Sequence, residues 1–91
     1  MQRWTLQIKG TVQGVFYRKS SAQKAQELDL RGYVRNCEDG SVELVAEGDT
    51  SQLQALLDWC WQGPANARVT AIDVDRQDAT GDHSADFTVR N

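Results

Sequence analysis

Basic residues are scarce in this chain. Ten Lys and Arg stand against 13 Asp and Glu, a net charge of -3 over 91 residues. A nucleic-acid binder gains affinity by releasing counterions under a basic face, so this balance argues against that class while leaving room for a local positive pocket. Long apolar runs are missing as well. No segment approaches the ~20 residues that span a bilayer. Near the start, Arg3, Gln7 and Lys9 interrupt any stretch that would serve as a signal peptide. The expectation is a cytoplasmic chain that meets no membrane. Its two cysteines, Cys37 and Cys60, match no metal or redox spacing. They read as free thiols, with a disulfide left to geometry. The one histidine, His83, lies in a polar stretch far along the chain from any motif and reads as a solvated loop residue. Glu38, Asp39, Glu43, Glu47 and Asp49 are scattered through a turn, a strand and a helix cap instead of being grouped like metal ligands. They read as solvated surface, and no metal or cofactor is expected.

With 40% hydrophobic and 25% charged residues, what remains is one small globular domain, 1–91, with no linker or repeat. Arg3 to Lys9 alternates, Trp4, Leu6 and Ile8 on one side, and predicts a half-buried strand. Ala22, Ala25 and Leu28 predict a helix over about Lys19 to Leu30, with Gly32 punctuating its end. Strands follow at Tyr33–Cys37 and Ser41–Glu47, joined by Asp39-Gly40, a hairpin signal. Asp49 reads as the cap of a second helix, with Gln52 completing a capping box. Leu53, Leu56, Leu57 and Cys60 form that helix's apolar stripe, Trp61 extends it, and Trp59 lies off it. Gly63-Pro64 ends the helix. A strand from about Arg68 to Arg76 has Ile72 and Val74 inward. Gln77 to Ala85 reads as a turn or loop, and Asp86–Arg90 as a last strand carrying Phe87 and Val89 on one face.

Strand–helix–strand units are right-handed crossovers, which leave room for a strand between the parallel pair. The hairpin partner fills that gap, giving an α+β ferredoxin-like split β-α-β sandwich: two helices on one face of a mostly antiparallel sheet, the other face polar and turned to water. The carboxyl ends of the first and second strands then share one edge. That brings the stretch closing at Arg18 together with Arg35-Asn36-Cys37.

The stretch from Gly10 to Arg18 runs from a strand through a glycine-bearing loop into a helix. Such a loop turns backbone N–H groups inward at the positive end of a helix and suits an anion, while Arg18 adds a planar fork of donors matched to phosphate. Arginine, asparagine and amides supply no nucleophile and no base at neutral pH. They can bind a phosphate, neutralise it and orient a water. Phosphoryl transfer asks for little more when the leaving group departs unaided, and a carboxylate, whose acid has a pKa of roughly 4, does so. The matching substrate is the mixed anhydride of a carboxylic and a phosphoric acid.

Gly10-Thr11-Val12-Gln13-Gly14-Val15-Phe16-Tyr17-Arg18 resembles the first signature of the acylphosphatase family. Gly32-Tyr33-Val34-Arg35-Asn36, with Gly40, Val42 and Gly48, resembles the second, and Gly63-Pro64 with Ala67 and Val69 is similar to the family's pattern after the second helix. The chain closes on Val89-Arg90-Asn91 without the terminal tyrosine of some members, a departure that touches neither motif. The resemblance implies metal-free hydrolysis of acyl phosphates to a carboxylate and inorganic phosphate. It implies that Arg18 binds the phosphate, that Asn36 positions the attacking water, and that the backbone N–H groups of Gln13, Gly14, Val15, Phe16 and Tyr17 form the cradle of a phosphate-binding loop. The side chains of Phe16 and Tyr17 are expected to pack instead of touching substrate. The partner is a small acyl phosphate, with inorganic phosphate as product, and the protein is expected to act as a monomer. The alternative is a non-catalytic anion-binding regulatory module on the same fold, for which a water-orienting Asn36 has no use. An RNA-binding sheet would want exposed aromatics where Thr5, Gln7 and Lys9 stand.

Overall fold

A computed structural model of the chain describes residues 1–79 and 86–90. The elements run β1 (Gln2–Thr11), α1 (Tyr17–Glu27), β2 (Arg31–Asn36), β3 (Val42–Gly48), α2 (Thr50–Gln62), β4 (Arg68–Asp78) and β5 (Phe87–Arg90). The sheet order is β4-β1-β3-β2-β5, and β3 is antiparallel to both β1 and β2. The expected split β-α-β arrangement is therefore present. The last strand, whose position the sequence left open, adds to the free edge of β2 in parallel.

The period of two in β1 puts Trp4, Leu6 and Ile8 on the helix-covered face, in register with Ala46, Leu44 and Val42 of β3. Val34 of β2 lies opposite Leu44 on the other side. Ala22 and Ala25 of α1 and Leu53, Leu56, Leu57 and Cys60 of α2 close over them. Each fully buried aliphatic side chain contributes about 1.5–3 kcal/mol relative to exposure, and this layer is what holds the two helices to the sheet. Cys60 and Cys37 are free, and burial pushes the Cys60 thiol up to about 12.

Several expectations give way to local geometry. α1 is closed not by Gly32 but by Asp29, which takes φ 58 as Leu30 N donates back to Ala25 O at 3.0 Å, while Gly32 lies inside β2. Asp49 does occupy the cap position of α2, yet its side chain makes no capping bond, so the capping box does not form. Trp61 is 49% exposed instead of extending the stripe. At 100° per residue it falls about 90° from the stripe's centre. Trp59, on the opposite flank, is half-buried against Tyr17, ring centroids 5.7 Å apart. β4 continues through Gln77 and Asp78, which pair with Arg3 and Gln2 instead of starting a loop. The rest of the turn or loop expected over Gln77 to Ala85, from Thr80 on, and the solvated placement of His83 lie outside the described residues.

The outer face of the sheet is less wet than its alternation suggests. Glu38, Asp39 and Asp49 are exposed as expected, but Glu47 is 5% exposed and Val45 is buried with it, because β3 is central and flanked on both sides. Glu47 lies in register between Arg3 and Arg31, where long basic stems can cover it. Glu43 is half-buried and accepts from Arg35 Nε at 2.8 Å and Tyr33 Oη at 3.2 Å. The Arg90 guanidinium of β5 stacks 3.8 Å from the Tyr33 ring centroid, pinning the edge strand to β2.

At the end of β1 the pairing with β4 slips by a residue between Lys9 and Gly10, a bulge that bends the strand toward the loop. Gly10 has φ 130, and a Cβ there would collide with the Arg68 carbonyl oxygen. Gly10→Ala is expected to destabilise the fold by about 2–3 kcal/mol, read from urea unfolding. In the β2–β3 turn, Asp39 Oδ1 accepts from both the hydroxyl and the N–H of Ser41. These bonds, the hydroxyl's first, hold the Asp39 carboxyl below its ordinary value of 3.8. Folding thus favours the carboxylate. The stabilisation is whole above 3.8 and fades as the pH falls through the lower folded value. Asp39→Asn should shallow the acid limb of the urea-midpoint curve, slightly, because the group is exposed.

Candidate active site

β1 and β2 both end at the edge where α1 begins, and a pocket of about 270 Å³ opens there. Arg18 and Asn36, eighteen positions apart in sequence, both line it, with Gly14, Phe16 and Tyr17 of the intervening loop. Asn36 arrives by parity. It shares the helix-facing side of β2 with Val34, two positions beyond that last core residue, so its carboxamide enters the gap between sheet and helix. Arg18 arrives by helix phase, in the first turn of α1.

The loop backbone is bent by two departures from ordinary φ, on either side of Val15. Gly14 sits at φ 75 and Phe16 at φ 64, both left-handed. Glycine accepts this freely, whereas a phenylalanine there carries strain of order 1–3 kcal/mol, a feature that clusters at functional sites. Phe16 is also the N-cap of α1, and it makes no side-chain capping bond. The amides of the first turn are therefore left to any anion in the pocket, and no acidic residue occupies that turn to compete.

Three side chains, making four hydrogen bonds, fix the loop and the start of α1 to their surroundings. Gln13 Nε2 donates to the carbonyl oxygens of Cys37 and Ser41, each at 2.8 Å, which clamps the loop to the turn directly after Asn36. Tyr17 is fully buried and donates from Oη to Cys60 O at 2.6 Å, tying the start of α1 to α2, and burial pushes its phenol far up. Arg18 Nη1 donates to Arg90 O of β5 at 2.8 Å, which aims the guanidinium from the edge strand.

The loop residues divide by role. Gly14, Phe16 and Tyr17 contribute to the pocket wall. Gln13 turns its side chain to the hairpin, and Val15 packs on the core. Tyr17 packs as expected, but Phe16 does not. Its left-handed backbone throws the ring outward, 76% exposed, at the pocket mouth. Val89 of β5 and Val12 of the loop also line the pocket, though neither was a candidate. The alternation of Phe87 and Val89 could have pointed to Val89 only if the edge position of β5 had been known. The amide of Gln13, a polar side chain between Val12 and Gly14, was the available signal for the clamp.

Electrostatically the wall is simple. It holds two cations, Arg18 and Lys19, and no carboxylate, thiol or imidazole among the described residues. Asn36 Oδ1 is buried and has no hydrogen-bond partner among them. An unsatisfied buried acceptor costs about 1–3 kcal/mol, so it calls for a donor from within the pocket, and water is the smallest.

These features can be set beside known proteins. The family model described as Acylphosphatase matches residues 4–89. An acylphosphatase of Methylococcus capsulatus is 50% identical over 91 residues, covering 100% of this chain and 99% of that one. The crystal structure of acylphosphatase from Bacillus subtilis superposes with a TM-score of 0.95 at 31% identity, over 100% of both chains. An acylphosphatase structure from Coxiella burnetii gives 0.89 at 40% identity, over 98% of this chain and 92% of that one. The clamp is testable without reference to any of them. Gln13→Ala should lower stability by about 1–3 kcal/mol in urea unfolding and weaken inorganic phosphate in a calorimetric titration, because loop and hairpin lose their shared bonds.

Proposed function

The chain belongs to the acylphosphatase family, and from that premise we propose how its pocket performs the reaction. The reaction is hydrolysis of an acyl phosphate to a carboxylate and inorganic phosphate, and the alternative of a non-catalytic anion-binding module is not favoured. The observation that carries the proposal is the partnerless buried Oδ1 of Asn36 in the same wall as Arg18. Arg18 and the amides around Gly14 to Tyr17 hold the phosphoryl oxygens. Asn36 Oδ1 accepts a hydrogen bond from one water, which aims the water's lone pair at phosphorus. As the water oxygen bonds to phosphorus, the bridging P–O bond breaks and its electron pair leaves on the carboxylate. The water's proton passes to a phosphoryl oxygen, so a doubly charged substrate gives a carboxylate and dihydrogen phosphate. No side chain of the wall needs to give or take a proton. Fixed donors aimed at the reacting group supply the rate, through positioning and charge stabilisation.

The same reading extends to what surrounds the site. The pocket works without a metal, since the wall offers phosphate donors and no carboxylate among the described residues to hold a cation. The protein works as a one-domain monomer in the cytoplasm, without nucleic acid or membrane. Its net charge of -3 and two free thiols support that placement. Among the described residues no helix is long and apolar enough to cross a membrane.

Two substitutions separate the roles. Asn36→Ala should cut kcat on benzoyl phosphate by roughly 100- to 1,000-fold with KM little changed, because the water alone is misplaced. Arg18→Ala should lower kcat and raise the inhibition constant for inorganic phosphate, and Arg18→Lys should not restore either, since a point charge lacks the fork. Inorganic phosphate should compete with substrate, and EDTA should leave the rate unchanged. Full turnover in folded Asn36→Ala would refute the water-positioning role.

A further inference from the structure

Phosphate donors fill only part of this pocket. Its mouth is apolar. Phe16 is 76% exposed and Val89 44% exposed, two of the few large hydrophobic side chains the described chain leaves in water, and both border the cavity that holds Arg18 and Asn36. Val12, buried, continues the same wall inward. Phe16 is held outward by a left-handed backbone, φ 64, that a phenylalanine adopts only at a price in strain. Scattered single hydrophobics on a surface need no explanation, but two that flank one cavity, presented from separate elements 73 positions apart, form a built feature.

We propose that Phe16 and Val89 form the acyl subsite, gripping an aromatic or branched apolar acyl group while Arg18 and the loop hold the phosphate. This rests on the pocket being the acyl phosphate site. The geometry of the substrate supports the division. The phosphoryl and acyl groups share one bridging oxygen, so a phosphate seated against α1 leaves its acyl end within a few ångströms, at the rim. A flat aromatic acyl group there meets the Phe16 ring on one side and the Val89 methyls on the other. Lys19, also in the wall, sits beside the same rim and would be the contact for an acyl chain ending in a carboxylate. The two exposed hydrophobics outweigh it, because an exposed ammonium loses little by remaining hydrated while apolar surface gains by being covered.

The test compares kcat/KM for benzoyl, acetyl and succinyl phosphates in the wild type, Phe16→Ala and Val89→Ala. The inhibition constant of inorganic phosphate is measured on each. Dividing variant by wild type cancels the unequal reactivity of the leaving groups. Each variant should lower the benzoyl-to-acetyl ratio by roughly three- to ten-fold, expressed mainly in KM, as fits loss of one apolar contact. Ratios equal to the wild type's in both variants would overturn the acyl subsite while leaving the phosphate site standing. A wild-type preference for succinyl phosphate that vanishes in Lys19→Gln would overturn it in favour of an anionic acyl group. Wild-type protein that turns over none of the three would overturn the reading of the pocket itself.

Discussion

Leu44 of β3 faces Leu6 of β1 on one side and Val34 of β2 on the other, and both pairings are antiparallel. Everything functional hangs on that double pairing. With β3 between them, β1 and β2 must run the same way, so their carboxyl ends open at one edge. The loop after β1 and the asparagine ending β2 have nowhere else to go. A slip of one residue in the β2–β3 register would turn Val34 out of the core and Asn36 out of the pocket together, since both share one face. Burial of Val34 and Leu44, both fully covered, is thus the energetic guarantee of where Asn36 points.

Most of this frame could be read in the chain beforehand. The alternation of Trp4, Leu6 and Ile8, the Asp39-Gly40 turn and the stripe from Leu53 to Cys60 are local patterns whose periods decide strand or helix on their own. That Arg18 and Asn36 would line one pocket was recoverable because motif and topology agreed on their meeting. What escaped depends on neighbours that sequence separates widely. Glu47 looks like surface in a strand that alternates, yet it is buried because β3 is central. Phe16 looks like core by composition, yet its φ of 64 sends the ring to solvent. Val89 joins the pocket only because β5 pairs with β2, and a four-residue strand carries no pattern that says with which partner.

The pocket also shows how a small fold concentrates its unfavourable features. A left-handed phenylalanine, an uncapped helix start and a buried carboxamide oxygen without a partner all fall within one wall. Each lowers stability by an amount comparable to one good buried contact. The core beneath, with Tyr17 bonded to Cys60 O, offsets them. A tetrahedral anion and its water would relieve the last two together, so ligand binding and stability are linked in this molecule.

The bond from Arg18 to Arg90 O joins residues 72 apart, and the Gln13 clamp to Ser41 O joins residues 28 apart. Closing such long loops is entropically slow, and within the sheet the edge strand has β2 as its one partner. A refolding chain can therefore bury its helices and regain its circular dichroism before the guanidinium is aimed. With Arg18 holding the phosphate as proposed, reappearance of turnover then serves as a clock for the moment β5 seats.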